Sequence, residues 1–236
     1  MVIVAVRAGT RLQIVSMLCT MMVGMIDRSL RRVKDRLLEA MGRSVLVRLH
    51  AQTVTIVALL VALGAAAIAA IELSPPARWP WRLAAVGAWL GSRALDAVDG
   101  SVARARGTQS DRGGYLDMMC DTLAYAAVPI GLAVAADSRS AWMWCALLLA
   151  TYYVNTMSWT YLSSIEERRA AAGLHGDRGL QTTIAMPAGL VEGFETMLLV
   201  AVMLAWPTQV VLWFATTAGL VAITAFVRVA TGLRRL

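Results

Sequence analysis

Long apolar stretches separated by short polar breaks dominate the chain from residue 51 onward. A helix needs about 20 mostly apolar residues to cross a hydrocarbon core of roughly 30 Å, where no water satisfies exposed backbone groups. The pattern therefore predicts an all-α membrane protein with six transmembrane helices. The predicted spans are residues 51–73, 81–99, 114–136, 140–163, 183–206 and 208–230.

The breaks between these spans carry residues that favour turns. They include two prolines at 75 and 76, the pair Gly113-Gly114, the pair Asp137-Ser138 and Pro207. The fourth break is a charged stretch over residues 166–178. Because each break is short, we expect neighbouring helices to pack antiparallel.

The N-terminal region, residues 1–50, differs in composition from the apolar region 51–236, and we treat the two as separate domains. Between Asp27 and Leu49, apolar side chains alternate with Arg and Lys at helical spacing. That pattern is typical of an amphipathic helix lying in the membrane interface, although a plain solvated helix is the alternative.

The net charge of +7 indicates which partners to expect. Basic residues flank the apolar spans and lack the interleaved aromatic side chains of a nucleic-acid-binding surface, so membrane lipids with anionic headgroups are the expected partner. Nearly all Lys and Arg fall on one side of the predicted spans; Arg78, Arg82 and Arg139 lie on the other, and Arg93 within the second span. Cytoplasmic loops collect such residues, so both termini are predicted to be cytoplasmic.

Four carboxylates lie near the cytoplasmic ends of the second and third spans. Asp96 and Asp99 are three residues apart, and Asp117 and Asp121 are four apart, so each pair lies on one face of its helix. Antiparallel spans would bring both pairs to the same membrane depth. Like charges in a partly dry site repel, and a multivalent cation relieves the repulsion. Oxygen ligands favour Mg²⁺ or Mn²⁺, and four carboxylates suit two ions about 3.5–4 Å apart.

Small residues and an arginine accompany these acids. Gly100 and Ala103 have almost no side chain, so a bulky ligand could approach the helix closely. Arg104 could contact a diphosphate in bidentate fashion, and Gly113 with Gly114 would let the chain turn sharply. Any one of these residues could be purely structural, but their combination points to a functional site at the cytoplasmic face.

This arrangement strongly resembles the motif of the CDP-alcohol phosphotransferase family, which is Asp-x2-Asp-Gly-x2-Ala-Arg, eight residues, then Gly-x3-Asp-x3-Asp. The motif covers 26 residues, and the predicted layout extends the resemblance to most of the chain. The positions that match are Asp96, Asp99, Gly100, Ala103, Arg104, Gly113, Asp117 and Asp121.

The resemblance implies an enzyme in which an acceptor hydroxyl attacks the phosphorus of a CDP-linked donor, expected to be CDP-diacylglycerol, with release of CMP. Asp96, Asp99 and Asp117 would hold two Mg²⁺ or Mn²⁺ ions, and Asp121 would share in ligation. Asp121 would also be the general base, since a hydroxyl is a weak nucleophile until its proton is accepted.

The family pattern likewise implies that Gly100, Ala103, Arg104 and Gly113 form the CDP-binding site. It further implies a role in phospholipid synthesis, a homodimer, and, for a bacterial-type member, the inner membrane. A divalent-cation transporter using the same acids is the alternative function. Transporter sites, however, tend to lie near the bilayer midplane, whereas these acids lie at span ends.

Residues outside the motif must select the acceptor alcohol. Arg168, Arg169 and Arg178, in the predicted loop between spans four and five, could bind the phosphate of glycerol phosphate or inositol phosphate, or could be ordinary cytoplasmic charges. Glu192 and Glu195 lie on one face of the fifth span, where buried carboxylates need partners. They could line the acceptor cavity or pair with Arg93 or Arg228.

Overall fold

The computed structural model describes residues 51–73, 78–106, 110–172 and 193–235, with the backbone alone for residues 51, 99–106 and 235. The predicted interfacial helix lies outside the described residues. The predicted domain boundary at residue 50 is likewise outside them. All regular structure in the described residues is helical, as predicted. The elements are α1 (Ala51–Glu72), α2 (Trp79–Arg106), α3 (Asp111–Ala136), α4 (Arg139–Ala171), α5 (Gly193–Ala205), a 3-10 turn (Pro207–Gln209) and α6 (Val210–Arg235).

Within the described residues, three helical segments are long and apolar enough to cross a membrane, namely Gln52–Glu72, Asp111–Ala136 and Pro207–Arg234. They correspond to α1, α3 and α6 and identify an integral membrane protein. Helices α2 and α4 do not meet the same criterion of length and mean hydropathy, and α5 has 13 residues. The predicted number of six helices agrees with the described structure. The sequence predicts six membrane spans, and three of the described helices meet the criterion for a span.

Two helices extend further than their apolar residues predict. Helix α2 continues past residue 99 to Arg106, so the whole first half of the acidic motif is helical. Helix α4 continues to Ala171, which places Arg168 and Arg169 in its last turn. The prediction that these two arginines lie in a loop is therefore wrong. Cationic side chains are favourable at a helix C-terminus, where the helix dipole is negative.

Serine caps mark the starts of α3 and α4. The Ser110 hydroxyl accepts a hydrogen bond from the backbone N–H of Gly113 at 3.1 Å, and Ser138 accepts one from Ala141 at the same distance. Such caps satisfy backbone donors that have no partner within the helix. Gly113 and Gly114 consequently belong to the first turn of α3, and the sharp turn predicted for them does not occur.

Helix α1 packs extensively against both α2 and α3, while α4 packs mainly against α6. The buried face of α1 consists largely of alanine, which allows neighbouring backbones to come close. Gly131 of α3 lies at such a close approach. A Cβ added at Gly131 would lie 3.2 Å from the carbonyl carbon of Ala66 and closer still to its oxygen. The contact fixes the depth and rotation of α3 relative to α1.

Candidate active site

The acidic motif is divided between α2 and α3. Asp96 lies on α2, three residues before Asp99, and Asp117 and Asp121 lie one turn apart on α3. Both helices pack on α1, but among the described residues their backbones rarely approach each other closely. Long side chains therefore determine how the two halves of the motif meet.

Arg93 joins the two halves. Its Nη1 atom donates a hydrogen bond to Oδ1 of Asp121 on α3 and lies 3.9 Å from Oδ2 of Asp96 on its own helix. The Arg93 side chain is only 6% exposed, against 23% for Asp96 and 40% for Asp121. One buried cation is thus shared by two acids of the motif, and the more accessible acid makes the hydrogen bond.

Two aromatic rings enclose the Arg93 guanidinium. Its central carbon lies 5.0 Å from the ring centroid of Trp89 and 5.3 Å from that of Tyr125. The two rings meet edge to face, with centroids 5.1 Å apart and an interplanar angle of 84°. Both distances to the guanidinium are within the range of cation–π attraction. These contacts hold the cation at a defined place between α2 and α3.

The aromatic rings are in turn bound to the beginning of α5. The indole N–H of Trp89 donates to the carbonyl oxygen of Met197 at 3.0 Å, and the Tyr125 hydroxyl lies 3.4 Å from the carbonyl oxygen of Gly193. Trp89 is fully buried, as expected for a mid-span tryptophan. Helix α5 therefore contacts the two rings that enclose Arg93, and its first turn contains Glu195.

The described acids agree in chemistry with a site for a hard divalent ion. Asp96, Asp117 and Asp121 offer only carboxylate oxygens, the ligands that Mg²⁺ and Mn²⁺ prefer. The Oδ1 atom of Asp117 is buried, and its side chain is partly exposed. Among the side chains that the structure describes, no three acids, histidines or cysteines are grouped closely enough to hold an ion. Asp99, the fourth predicted ligand, is not one of those side chains.

Several predicted site residues lie beyond what the structure describes in full. Gly100, Ala103 and Arg104 are on α2, where the backbone is helical and the side chains are not described. Gly113 is in the first turn of α3 beside its serine cap, where an added Cβ would lie 3.3 Å from the hydroxyl oxygen. Arg178 and Glu192 fall outside the described residues.

The second buried arginine, Arg228 of α6, belongs to a different helix pair. Its Nη1 atom donates to the side-chain oxygen of Asn155 on α4 at 3.2 Å. Arg93, by contrast, is bonded to the acidic motif. The structure pairs Arg93 with Asp96 and Asp121. The predicted pairing of Glu192 with Arg93 or Arg228 concerns a residue outside the described ranges.

The sequence shows Arg93 as a charge inside a predicted span, but the family motif does not include it. A signal was present, since Arg93 precedes Asp96 by three residues and follows Trp89 by four. Both spacings place side chains on one helical face. The decisive contacts, to Asp121 and Tyr125 on another helix, cannot be obtained from spacing within α2.

Comparison with known sequences gives a family match. The sequence profile of the family described as CDP-alcohol phosphatidyltransferase matches residues 48–226. Inner membrane protein YnjF of Escherichia coli strain K12 is 35% identical over 135 residues, which are 57% of this chain and 61% of that protein. Phosphatidylinositol phosphate synthase of Mycobacteroides abscessus is 32% identical over 165 residues, which are 67% of this chain and 69% of that protein.

Two solved structures share the fold. Both are of Mycobacterium tuberculosis phosphatidylinositol phosphate synthase (PgsA1), one with CDP-DAG bound and one in complex with manganese and citrate. The first has a TM-score of 0.59 and 21% identity, and the alignment covers 85% of this chain and 94% of that one. The second has the same TM-score and 22% identity, and covers 85% and 88%. At these identities the likeness concerns the fold.

Proposed function

The chain belongs to the CDP-alcohol phosphatidyltransferase family, and on that premise we propose that it transfers a phosphatidyl or related phosphoalcohol group from a CDP-alcohol to an acceptor alcohol in phospholipid synthesis. The donor we propose is CDP-diacylglycerol, the ligand named for a solved enzyme of the same fold. The observation that carries the proposal is the meeting of Asp96 and Asp121, from two helices, at one buried arginine.

In this reaction the acceptor hydroxyl oxygen forms a bond to the phosphorus of the donor, and the phosphorus–oxygen bond to CMP breaks. Asp121 accepts the hydroxyl proton, and CMP leaves with the bonding electrons. The partial exposure of Asp121 supports this role, since a general base must reach its substrate.

We propose two Mg²⁺ or Mn²⁺ ions, with Asp96, Asp99 and Asp117 as ligands and Asp121 sharing in ligation. Support comes from the carboxylate chemistry of these residues and from the manganese in a solved structure of the same fold. When bound there, such ions would supply positive charge that stabilises the phosphoryl oxygens in the transition state. The chain itself positions the donor and the acceptor.

The CDP part of the donor is proposed to bind along α2 and the first turn of α3. Helix α2 continues unbroken through Gly100, Ala103 and Arg104, so the first two follow Asp96 at four and seven residues, on the same helical face. Small residues there leave room for a nucleotide, and Arg104 suits a diphosphate. Gly113 completes the proposed CDP site.

The acceptor is proposed to be a glycerol phosphate or an inositol phosphate. The name of the M. abscessus relative, phosphatidylinositol phosphate synthase, supports the second. Arg168 and Arg169 in the last turn of α4, together with Arg178, are proposed to bind the acceptor phosphate. Glu192 and Glu195 are proposed to line the acceptor cavity, a role supported by the position of Glu195 in the first turn of α5 beside the site.

The membrane arrangement proposed from the sequence includes six spans, cytoplasmic termini and active site, an interfacial helix within residues 1–50, and a homodimer. The inner membrane is the proposed location, in keeping with the name of the E. coli relative. Alkaline phosphatase and green fluorescent protein fusions at residues 76, 137 and 172 would test the topology. We expect phosphatase activity at the first two sites and fluorescence at the third; the reverse pattern would contradict the orientation.

The experiment that tests the activity is CMP release by the purified full chain in detergent. It is supplied with CDP-diacylglycerol and, in separate reactions, glycerol 3-phosphate, inositol phosphate or serine, with and without Mg²⁺ or Mn²⁺. We expect metal-dependent CMP release with one phosphorylated acceptor. Proteoliposomes that take up Mn²⁺ while no acceptor yields CMP would instead favour the divalent-cation transporter.

A further inference from the structure

We propose that Arg93 is the positioning residue for the general base: it holds Oδ1 of Asp121, so that Oδ2 faces the acceptor hydroxyl. This inference rests on the proposed function, in which Asp121 accepts the proton of that hydroxyl. Arg93 lies outside the acidic motif, and it acts through Asp121 without contacting the substrate.

The Arg93 guanidinium is held from several sides. The residue is 8% exposed, and its Nε atom donates to the Ser92 hydroxyl oxygen at 3.2 Å. The Ser92 hydroxyl in turn donates to the carbonyl oxygen of Trp89 at 2.9 Å. The rings of Trp89 and Tyr125 restrict the remaining directions. A donor held from several sides can fix the carboxylate that it binds.

Arg93 contacts the two acids of the motif differently. Asp121 accepts a hydrogen bond from Nη1, whereas Asp96 lies 3.9 Å from the same atom, beyond hydrogen-bonding distance. Arg93 therefore orients Asp121 and contributes only electrostatic attraction to Asp96. Orientation matters for a proton acceptor, since a displacement of about 1 Å can slow a reaction about 100-fold.

Arginine suits this position better than lysine does. A planar guanidinium donates from Nε and Nη1 in different directions and stacks on aromatic rings at the same time. The ammonium of lysine is a compact, strongly hydrated charge on a flexible stem and cannot reproduce this geometry. Arg93→Lys should consequently recover only part of what Arg93→Ala loses.

The activity test measures kcat and the KM for CDP-diacylglycerol in the full chain, with Arg93→Ala and Arg93→Lys. We expect Arg93→Ala to lower kcat about 100-fold, which is the loss expected when a general base is displaced. The kcat of Arg93→Lys should lie between those of Arg93→Ala and the unmodified protein. The matched control is Arg82→Ala, which removes another arginine of α2 that stacks on a tryptophan, Trp79, at 5.9 Å. The control should retain kcat.

Chemical rescue distinguishes positioning from a general loss of folded protein. Millimolar guanidinium chloride should restore part of the kcat of Arg93→Ala, while the same concentration of tetramethylammonium chloride should not. Near-normal kcat in Arg93→Ala, or no difference between the two salts, would overturn the positioning role. If the unmodified protein releases no CMP, the proposed function itself fails.

The pairing of Arg93 with Asp121 has a readout that needs no turnover. Thermal unfolding in detergent is compared for Arg93→Ala, Asp121→Asn and the double variant. If the two side chains are coupled, the double variant should unfold at no lower temperature than Arg93→Ala alone. Additive decreases in unfolding temperature would show that the pair is absent and would overturn the inference even in an active enzyme.

Discussion

Gly131 of α3 lies directly against the backbone of Ala66 in α1, with no space for a side-chain carbon between the two helices. Because α1 also packs on α2, this contact sets where α3 stands relative to the helix that carries Asp96 and Arg93. The position of Asp121, ten residues earlier on α3, depends on it. A packing contact remote from the acids thus determines the geometry of the candidate site.

Gly131→Ala should destabilise the protein by about 1–3 kcal/mol, since overpacking forces backbones apart. Thermal unfolding in detergent measures this. Gly64→Ala, at a position on α1 where an added Cβ meets nothing within 4 Å, is the matched control and should be neutral or slightly stabilising. Equal stability of the two variants would contradict the close helix approach.

Asp121→Asn should reduce CMP release by about 100-fold or more, because an amide cannot accept the acceptor proton. The protein should still insert and elute as the unmodified protein does in gel filtration. Asp137→Asn is a suitable control, since Asp137 caps the opposite end of α3 with a positive φ of 39°, a conformation that asparagine tolerates. Near-normal turnover by Asp121→Asn would eliminate it as the base.

Trp89→Phe should lower stability by about 1 kcal/mol, because it removes the part-buried hydrogen bond that the indole N–H donates to the carbonyl oxygen of Met197 at 3.0 Å. A smaller fall in kcat should accompany it, as the ring that supports Arg93 loses its anchor to α5. Trp142→Phe, at an exposed position of α4, provides the comparison. The hydrogen bond would be unimportant if both variants unfolded at the same temperature.

Glu195→Gln should raise the KM for the acceptor while leaving the KM for CDP-diacylglycerol unchanged. The expected reason is that Glu195 lies in the first turn of α5, the helix whose carbonyl groups accept hydrogen bonds from Trp89 and Tyr125 beside the acidic motif. Steady-state kinetics with each substrate varied in turn measures the effect. Glu72→Gln, at the end of α1, serves as the control, and unchanged acceptor kinetics in Glu195→Gln would exclude the cavity role.

Apolar patterning predicted the helical class and placed α1, α3 and α6 within a few residues of their observed bounds. The predicted ends of α2 and α4 were too early. Charged residues end an apolar stretch, but they do not end a helix. The patterning also failed at Gly113, where Ser110 caps the helix and stabilises a glycine-containing first turn. These errors are local, and cap chemistry accounts for one of them.

The sequence by itself determined the family motif, the pairing of acids by helical spacing and the preference for hard divalent ions, since these depend on residue type and on distance along one helix. Only the tertiary structure decided that Arg93 joins Asp96 to Asp121, and that Trp89 and Tyr125 hold it. Contacts between residues on different helices depend on helix rotation and separation. Here the rotation and separation of the helices are set by the alanine face of α1 and by Gly131 of α3. This packing involves several helices, so it cannot be obtained from the spacing of residues within one of them.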